Sequence, residues 1–199
     1  MNEAFTPPLP RPTTSAADGL PRWRWTVEEI ERIAAAGFFR GDERFELLGG
    51  EIVPMSPKGR RHEIIRGNIA FRFSRHAPEG IFVVSEPQFN LSEDTYLDPD
   101  ILVHPAAIQT PDIRGTDALL VVEVADSSLR YDLNVKATTY AAHGVREYWV
   151  INAATLLTRV HLVPAGNAYT SVLEVPGEER LVPSLVPAFA IALRELDLD

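Results

Sequence analysis

The chain has 199 residues, 45% of them hydrophobic, and a formal net charge of −9, which suits one domain with a substantial core and by itself argues against a nucleic-acid partner. It contains no cysteine, so disulfides and thiolate metal sites are excluded and any metal must rest on oxygen or imidazole. No apolar run reaches the length of a membrane span and no basic stretch leads into an apolar one at the start of the chain; a cytoplasmic protein without membrane contacts is the expectation.

Five prolines among residues 1–22, mixed with Thr, Ser and Ala, predict a disordered or loosely held arm and leave 23–199 as a single domain. Thr26, followed three residues later by Glu29, is a capping box that opens a helix stopped at Gly37. The run FELLGGEIV from Phe45 reads as a hairpin around a Gly49-Gly50 turn, broken by Pro54, Ser56 and Pro57. A helix over 60–76 follows, with His62, Ile65, Ile69, Phe73 and His76 on one face. Short strands are predicted over 81–84 and 89–91. A third, over 96–103 and containing Asp98-Pro99-Asp100, is expected to pair back across a polar turn at 92–95. Residues 106–117 form a loop.

The stretch 119–151 reads as strand, loop, helix, strand. Leu119 through Val124 has the length and branching of a buried strand, yet Glu123 sits inside it. A helix over 131–143 carries an apolar stripe of Leu133, Ala137, Tyr140, Ala141 and Gly144, and Lys136 falls within that stripe. Tyr140 and Trp149 are core residues. Strands are predicted over 147–151, 156–163 and 169–175; the pattern over 181–199 is too weak to type. Strands outnumber helices, but one strand–helix–strand unit is present. The fold class is therefore mixed α/β (α+β), a central mixed β-sheet flanked by helices.

Two elements thus place a charge where the pattern calls for an apolar residue, which is costly unless a partner meets it. If the strands carrying Asp100 and Glu123 are neighbours, their carboxylates converge. With a backbone carbonyl and waters they make an oxygen site suited to Mg2+ or Mn2+. Without metal they should repel and raise the pKa of one of them. Lys136 can reach the same point, and carboxylates, a divalent metal and a lysine are the minimum for phosphodiester hydrolysis. Plainer readings stand beside this one. Asp100 simply starts a strand, Glu123 and Lys136 form a structural ion pair, and His62 is a hydrogen-bonded core histidine. Glu46, in an apolar strand segment, is a secondary ligand or a hairpin surface residue. Lys58, Arg60, Arg61, Arg66, Arg72 and Arg75 form the one strongly basic stretch, which either holds phosphates or is a solvated helix face. Only two of the 19 basic residues are lysines, Lys58 and Lys136, which suggests a role for a compact point charge at Lys136.

Pro99-Asp100 followed by Glu123 in LVVEVA resembles the PD-(D/E)XK nuclease superfamily. More narrowly, FELLGGEIVPMSP, then His62, YLDPDILV, VVEVADSS and DLNVKATTYAAHGVREYWVIN resemble the bacterial restriction endonuclease family of the Uma type, over about 25–152. The resemblance implies the restriction-endonuclease-like fold and a Mg2+- or Mn2+-dependent endonuclease acting on DNA. It implies metal ligation by Asp100 and Glu123, with the Val124 carbonyl as a third group. The superfamily pattern wants a lysine two residues after the glutamate, where this chain has Ala125; the family resembles a variant in which the next helix supplies it, here Lys136. Glu46 matches an acidic position of the first block, and His62 a histidine of related nuclease helices, completing the metal shell directly or through water. Lys58, Arg60, Arg61 and Arg66 would hold phosphates. Cutting both strands of a duplex calls for two active sites, hence a homodimer. The alternatives are a catalytically retired nuclease fold serving as a nucleic-acid-binding or regulatory module, and a structural protein in which Glu123 and Lys136 merely pair.

Overall fold

The computed structural model describes residues 13–15, 21–40, 43–55 and 57–198. The chain divides into a smaller unit, Met1–Met55 with Ser92–Tyr96, and a larger one, Ser56–Leu91 with Leu97–Asp199. Strand β1 (Thr13–Ser15) pairs antiparallel with β2 (Pro21–Trp23). The rest of the proline-rich segment, 1–12 and 16–20, and with it most of the expected arm, lies outside the described residues.

Helix α1 (Val27–Ala35) starts at the expected capping box: Thr26 Oγ1 accepts from the Glu29 N–H at 3.2 Å, and Glu29 Oε2 accepts from the Thr26 N–H at 3.1 Å. It buries Val27 and Ile30 with Leu47 and Tyr96. Strands β3 (Phe45–Leu48) and β4 (Glu51–Pro54) form the expected hairpin. Gly49 and Gly50 have φ of 58° and 83°, the pair of positive values a type I′ turn requires.

In the larger unit, helix α2 (Arg60–Arg75) turns His62, Ile65, Ile69 and Phe73 inward, as the periodicity indicates. His76 caps the helix in an exposed position, and so leaves the predicted stripe. Strands β5 (Ile81–Ser85) and β6 (Phe89–Ser92) follow. The strand expected over 96–103 is two strands. β7 (Thr95–Leu97) pairs with β3 through Tyr96 and Leu47, while β8 (Ile101–Pro105) lies between β5 and β9 (Leu120–Ala125). The break falls at Pro99, which has no N–H to donate to a ladder.

Helix α3 is built of an α-turn (Leu129–Tyr131), a wider π-helical segment (Asp132–Lys136) and an α-helical end (Ala137–Ala142). The extra residue in the wide turn shifts the inward face. Asp132, Lys136, Ala137, Tyr140 and Ala141 are buried, whereas Leu133, expected in the stripe, is half-buried. Strands β10 (Glu147–Asn152), β11 (Thr158–Ala165) and β12 (Ala168–Val175) complete a six-stranded sheet of order β12-β11-β10-β9-β8-β5. Only the β9–β10 pair is parallel, joined through α3; the other pairs are antiparallel, so the sheet is mixed. The untyped tail holds a short antiparallel pair, β13 (Arg180–Leu181) and β14 (Ile191–Ala192), and sends Phe189 and Leu193 into the core. Phe189 stacks on Phe73 of α2 at 4.6 Å. All six residues of β9 are buried, which explains their near-continuous apolar character. Among the described residues no helix is long and apolar enough to cross a membrane.

Candidate active site

The sheet brings the two acids together. β8 and β9 pair with Ile101 opposite Val122, so Asp100, one residue ahead of β8, comes level with Glu123. Both are almost wholly buried, at 2% and 4% exposure. Asp100 Oδ2 accepts from the Val124 N–H at 2.7 Å, which anchors the carboxylate to the neighbouring strand. Its Oδ1 accepts from Lys58 Nζ at 2.7 Å, and His62 Nε2 lies 3.0 Å from the same oxygen.

Glu123 is met from α3. Its Oε1 accepts from Lys136 Nζ at 2.9 Å and from the Tyr140 hydroxyl at 3.3 Å. Lys136 is 4% exposed, with Asp132 Oδ1 at 4.0 Å on its other side. Asp132 is fixed in turn: its Oδ2 accepts from Ser128 Oγ at 2.6 Å, and its backbone carbonyl accepts from the Tyr148 hydroxyl at 3.1 Å. Burial, with Asp132 and Glu123 nearby, pushes the Tyr148 phenol well up, so it remains a donor at neutral pH. Asp132 and Lys136 lie at the two ends of the wide turn in α3, and both face inward.

Burial alone would raise the Asp100 pKa, but His62 and Lys58 outweigh it and hold the carboxyl down at about 2. Burial likewise disfavours the Lys58 ammonium, yet Asp100 and Glu86 leave its pKa raised. The expected repulsion between the two acids therefore does not raise Asp100. The linkage has a definite sign: an acid depressed from 3.8 to about 2 on folding stabilises the fold above pH 4 and loses that contribution as pH falls toward 2. The contribution is about 2 kcal/mol. Melting temperatures of the wild type between pH 6 and pH 2 should fall more steeply than those of Asp100→Asn.

The other sequence candidates separate. Lys58 turns inward, paired with Glu86 as well as Asp100. At the neighbouring Gly59 a Cβ would lie 2.4 Å from Asp126 Oδ2, the end of an exposed side chain that would have to turn aside. Arg66 pairs with Glu63 and has Glu86 Oε2 at 3.7 Å. Arg60 and Arg61 are exposed, and Arg61 Nε donates to the Ala153 carbonyl. Glu46 is buried in β3 of the smaller unit, paired in register with Val53. Glu86 and Asp132 were missed in the sequence. Glu86 adopts φ of 51°, an uncommon conformation for a residue other than glycine, and its N–H donates to the Asp100 carbonyl at 3.2 Å. Asp132 had a legible signal: it stands four residues before Lys136, one helical turn away.

A divalent ion needs several oxygen or imidazole donors around it. Among the described residues no three histidine, aspartate or glutamate side chains gather closely enough to hold one. Two buried carboxylates level with each other, beside the backbone of Val124, nevertheless match the way Mg2+ is held: one or two carboxylates, with waters and substrate phosphate filling the rest. An ammonium already rests on Asp100 Oδ1, so that oxygen accepts a cation. His62 faces the same oxygen and is placed as its hydrogen-bond or charge partner.

Comparison with known proteins gives the same architecture a family. The family model described as "Uma2: Putative restriction endonuclease" matches residues 27–194. A solved "putative nuclease belonging to DUF820" from Anabaena variabilis ATCC 29413 superposes with a TM-score of 0.67 over 85% of this chain and 96% of its own, at 14% identity. That likeness establishes the fold. The type IIG restriction endonuclease BpuSI, at 16% identity, aligns with 63% of this chain and 13% of its own at a TM-score of 0.36, too loosely to carry an argument. No curated protein matches the chain significantly.

Proposed function

Because this chain belongs to the Uma2 family of "putative restriction endonucleases", we propose that it is a Mg2+- or Mn2+-dependent endonuclease that hydrolyses phosphodiester bonds of DNA. The observation that carries the reading is the level pair Asp100 and Glu123, buried on adjacent strands, with the Lys136 ammonium 2.9 Å from Glu123. Asp100, Glu123 and the Val124 carbonyl would hold the ion. When bound, it would polarise the scissile phosphate and lower the pKa of a water. Lys136, held by Glu123 and flanked by Asp132, would orient the attacking water and offset charge developing on the phosphoryl oxygens. The Tyr140 hydroxyl keeps Glu123 turned toward Lys136. Water adds to phosphorus, the P–O ester bond breaks, and the strand is left with a phosphate and a hydroxyl end. His62 supports this centre as the partner of Asp100. A homodimer would supply one centre for each strand.

A panel of supercoiled plasmid, linear duplex, single-stranded DNA and RNA, each with and without Mn2+, tests the reading. Metal-dependent cutting of duplex DNA is expected. Cutting confined to RNA, or cutting unaffected by chelator, would count against it. Phosphate contacts are assigned to the exposed arginines at the start of α2. DNA affinity should fall steeply with salt, because such contacts release counterions, and Arg60→Gln with Arg61→Gln should reduce the slope of log K against log salt by about 1 per lost contact. An unchanged slope in a filter-binding titration would make this helix end a solvated face.

One observation favours the retired-nuclease reading: the protein's own cations and N–H groups already partner Asp100 and Glu123. DNA binding with no cutting under any divalent ion would select it.

A further inference from the structure

We propose that Lys58 is a displaceable internal cation that couples metal loading to DNA binding. The proposal rests on the nuclease reading. Asp100 divides its oxygens between two kinds of partner. Oδ2 is held by the backbone N–H of Val124, a fixed element of the sheet, while Oδ1 faces the Lys58 ammonium at 2.7 Å. A divalent ion on Oδ1 and an ammonium at that distance cannot share the oxygen, because like charges this close repel strongly outside bulk water. Loading therefore requires Lys58 to leave.

Lys58 is held less firmly than Lys136. Lys58 lies between β4 and α2, outside both elements, and its side chain is 14% exposed against 5% for Lys136. A flexible four-carbon stem with rotatable donors suits such a swing. The same ammonium is also bonded to Glu86, which keeps it tethered while Oδ1 changes partner. Glu86 is itself pinned, its N–H bonded to the Asp100 carbonyl. Lys136 contrasts in each respect: it is carried on a helix and more deeply buried.

A DNA phosphate beside the site offers the displaced ammonium an anion. DNA binding then lowers the cost of metal loading, and by linkage metal tightens DNA to the same degree. In the absence of DNA the centre keeps its own cation and loads metal weakly.

Mn2+ affinity, measured by calorimetry on the full chain with and without a short phosphorothioate duplex, tests this without reference to cleavage. The proteins are the wild type, Lys58→Met, Lys58→Gln and Lys58→Arg, with Asp100→Asn as the control for the site. In DNA-free solution Lys58→Met is expected to bind Mn2+ roughly 10- to 100-fold more tightly than the wild type, the value of one charge-assisted hydrogen bond. Lys58→Gln, which can still donate to Asp100 without carrying charge, should follow it even if the methionine variant folds poorly. Lys58→Arg keeps the charge and should stay as weak as the wild type. The duplex should raise Mn2+ affinity in the wild type and do little in the two neutral variants. Equal Mn2+ affinity in the wild type and both neutral variants overturns the proposal and leaves the nuclease reading standing. Absence of Mn2+ binding in every protein, with and without DNA, overturns both.

Discussion

Lys136→Met is expected to abolish DNA cleavage and also to lower the stability of the metal-free protein by about 3–5 kcal/mol. From the sequence these two outcomes were rivals, one for a catalytic lysine and one for a structural partner of Glu123. The geometry joins them. Lys136 Nζ sits 2.9 Å from Glu123 Oε1, and both residues are 4% exposed. Removing the ammonium takes the nearest cation from a buried carboxylate and leaves the Tyr140 hydroxyl at 3.3 Å among its partners. The gain from placing a methionine in the buried stripe does not offset the loss of a buried carboxylate's cation. Lys136→Arg separates the roles: it retains a cation for Glu123 and should recover part of the stability. A planar fork does not reproduce a point charge aimed at water and phosphate, so cleavage should stay lost. Nuclease rates and metal-free melting temperatures of the three proteins check both halves. Full activity in Lys136→Met would remove this residue from the mechanism.

Divalent metal is expected to raise the unfolding temperature of the wild type, and Asp100→Asn to lose most of that rise. A ligand that binds only the native state stabilises it by about 2.7 kcal/mol at a hundredfold excess over its Kd. The physical source differs from the one the sequence suggested. Two bare acids would gain by relief of repulsion, but Asp100 is already compensated by His62 and Lys58, which hold its carboxyl at about 2. On the proposed reading metal would have to replace a resident cation, so the shift should grow when Lys58 is neutralised. A melting curve indifferent to millimolar Mn2+ in both the wild type and Lys58→Met would argue that Asp100 and Glu123 hold no ion.

The parts of the fold legible in the sequence are those set by local chemistry. The Thr26–Glu29 capping box, the Gly49-Gly50 turn, the buried stripe of α2 and the apolar run of β9 each follow from neighbouring residues, and each stands where the pattern puts it. Asp100, Glu123 and Lys136 were visible because charges in apolar positions demand partners. What escaped depends on longer range or on departures from regular geometry. The run 96–103 looks continuous, yet Pro99 separates a strand paired with β3 from a strand of the six-stranded sheet. The wide turn of α3 breaks the 3.6-residue period and leaves Leu133 half-buried. Glu86 has no periodic signature, and its role depends on Lys58 and Asp100, 28 residues before it in the one pair and 42 residues from Lys58 in the other. Lys58 was read with the basic helix because charge runs are easily counted along a chain, whereas the direction of a side chain in a loop is fixed by the buried acid it finds.

On the proposed reading Asp100 and Glu123 form one metal-dependent centre for cutting DNA. Conversion of supercoiled plasmid to nicked and linear forms, followed with Mn2+ and with chelator for the wild type, Asp100→Asn and Glu123→Gln, tests it most directly. The wild type should cut only when metal is present, and either variant should lose at least about two orders of magnitude in rate, the scale of removing one electrostatic stabiliser from a reaction centre. Cutting by Glu123→Gln at the wild-type rate, or wild-type cutting that persists in chelator, would contradict it.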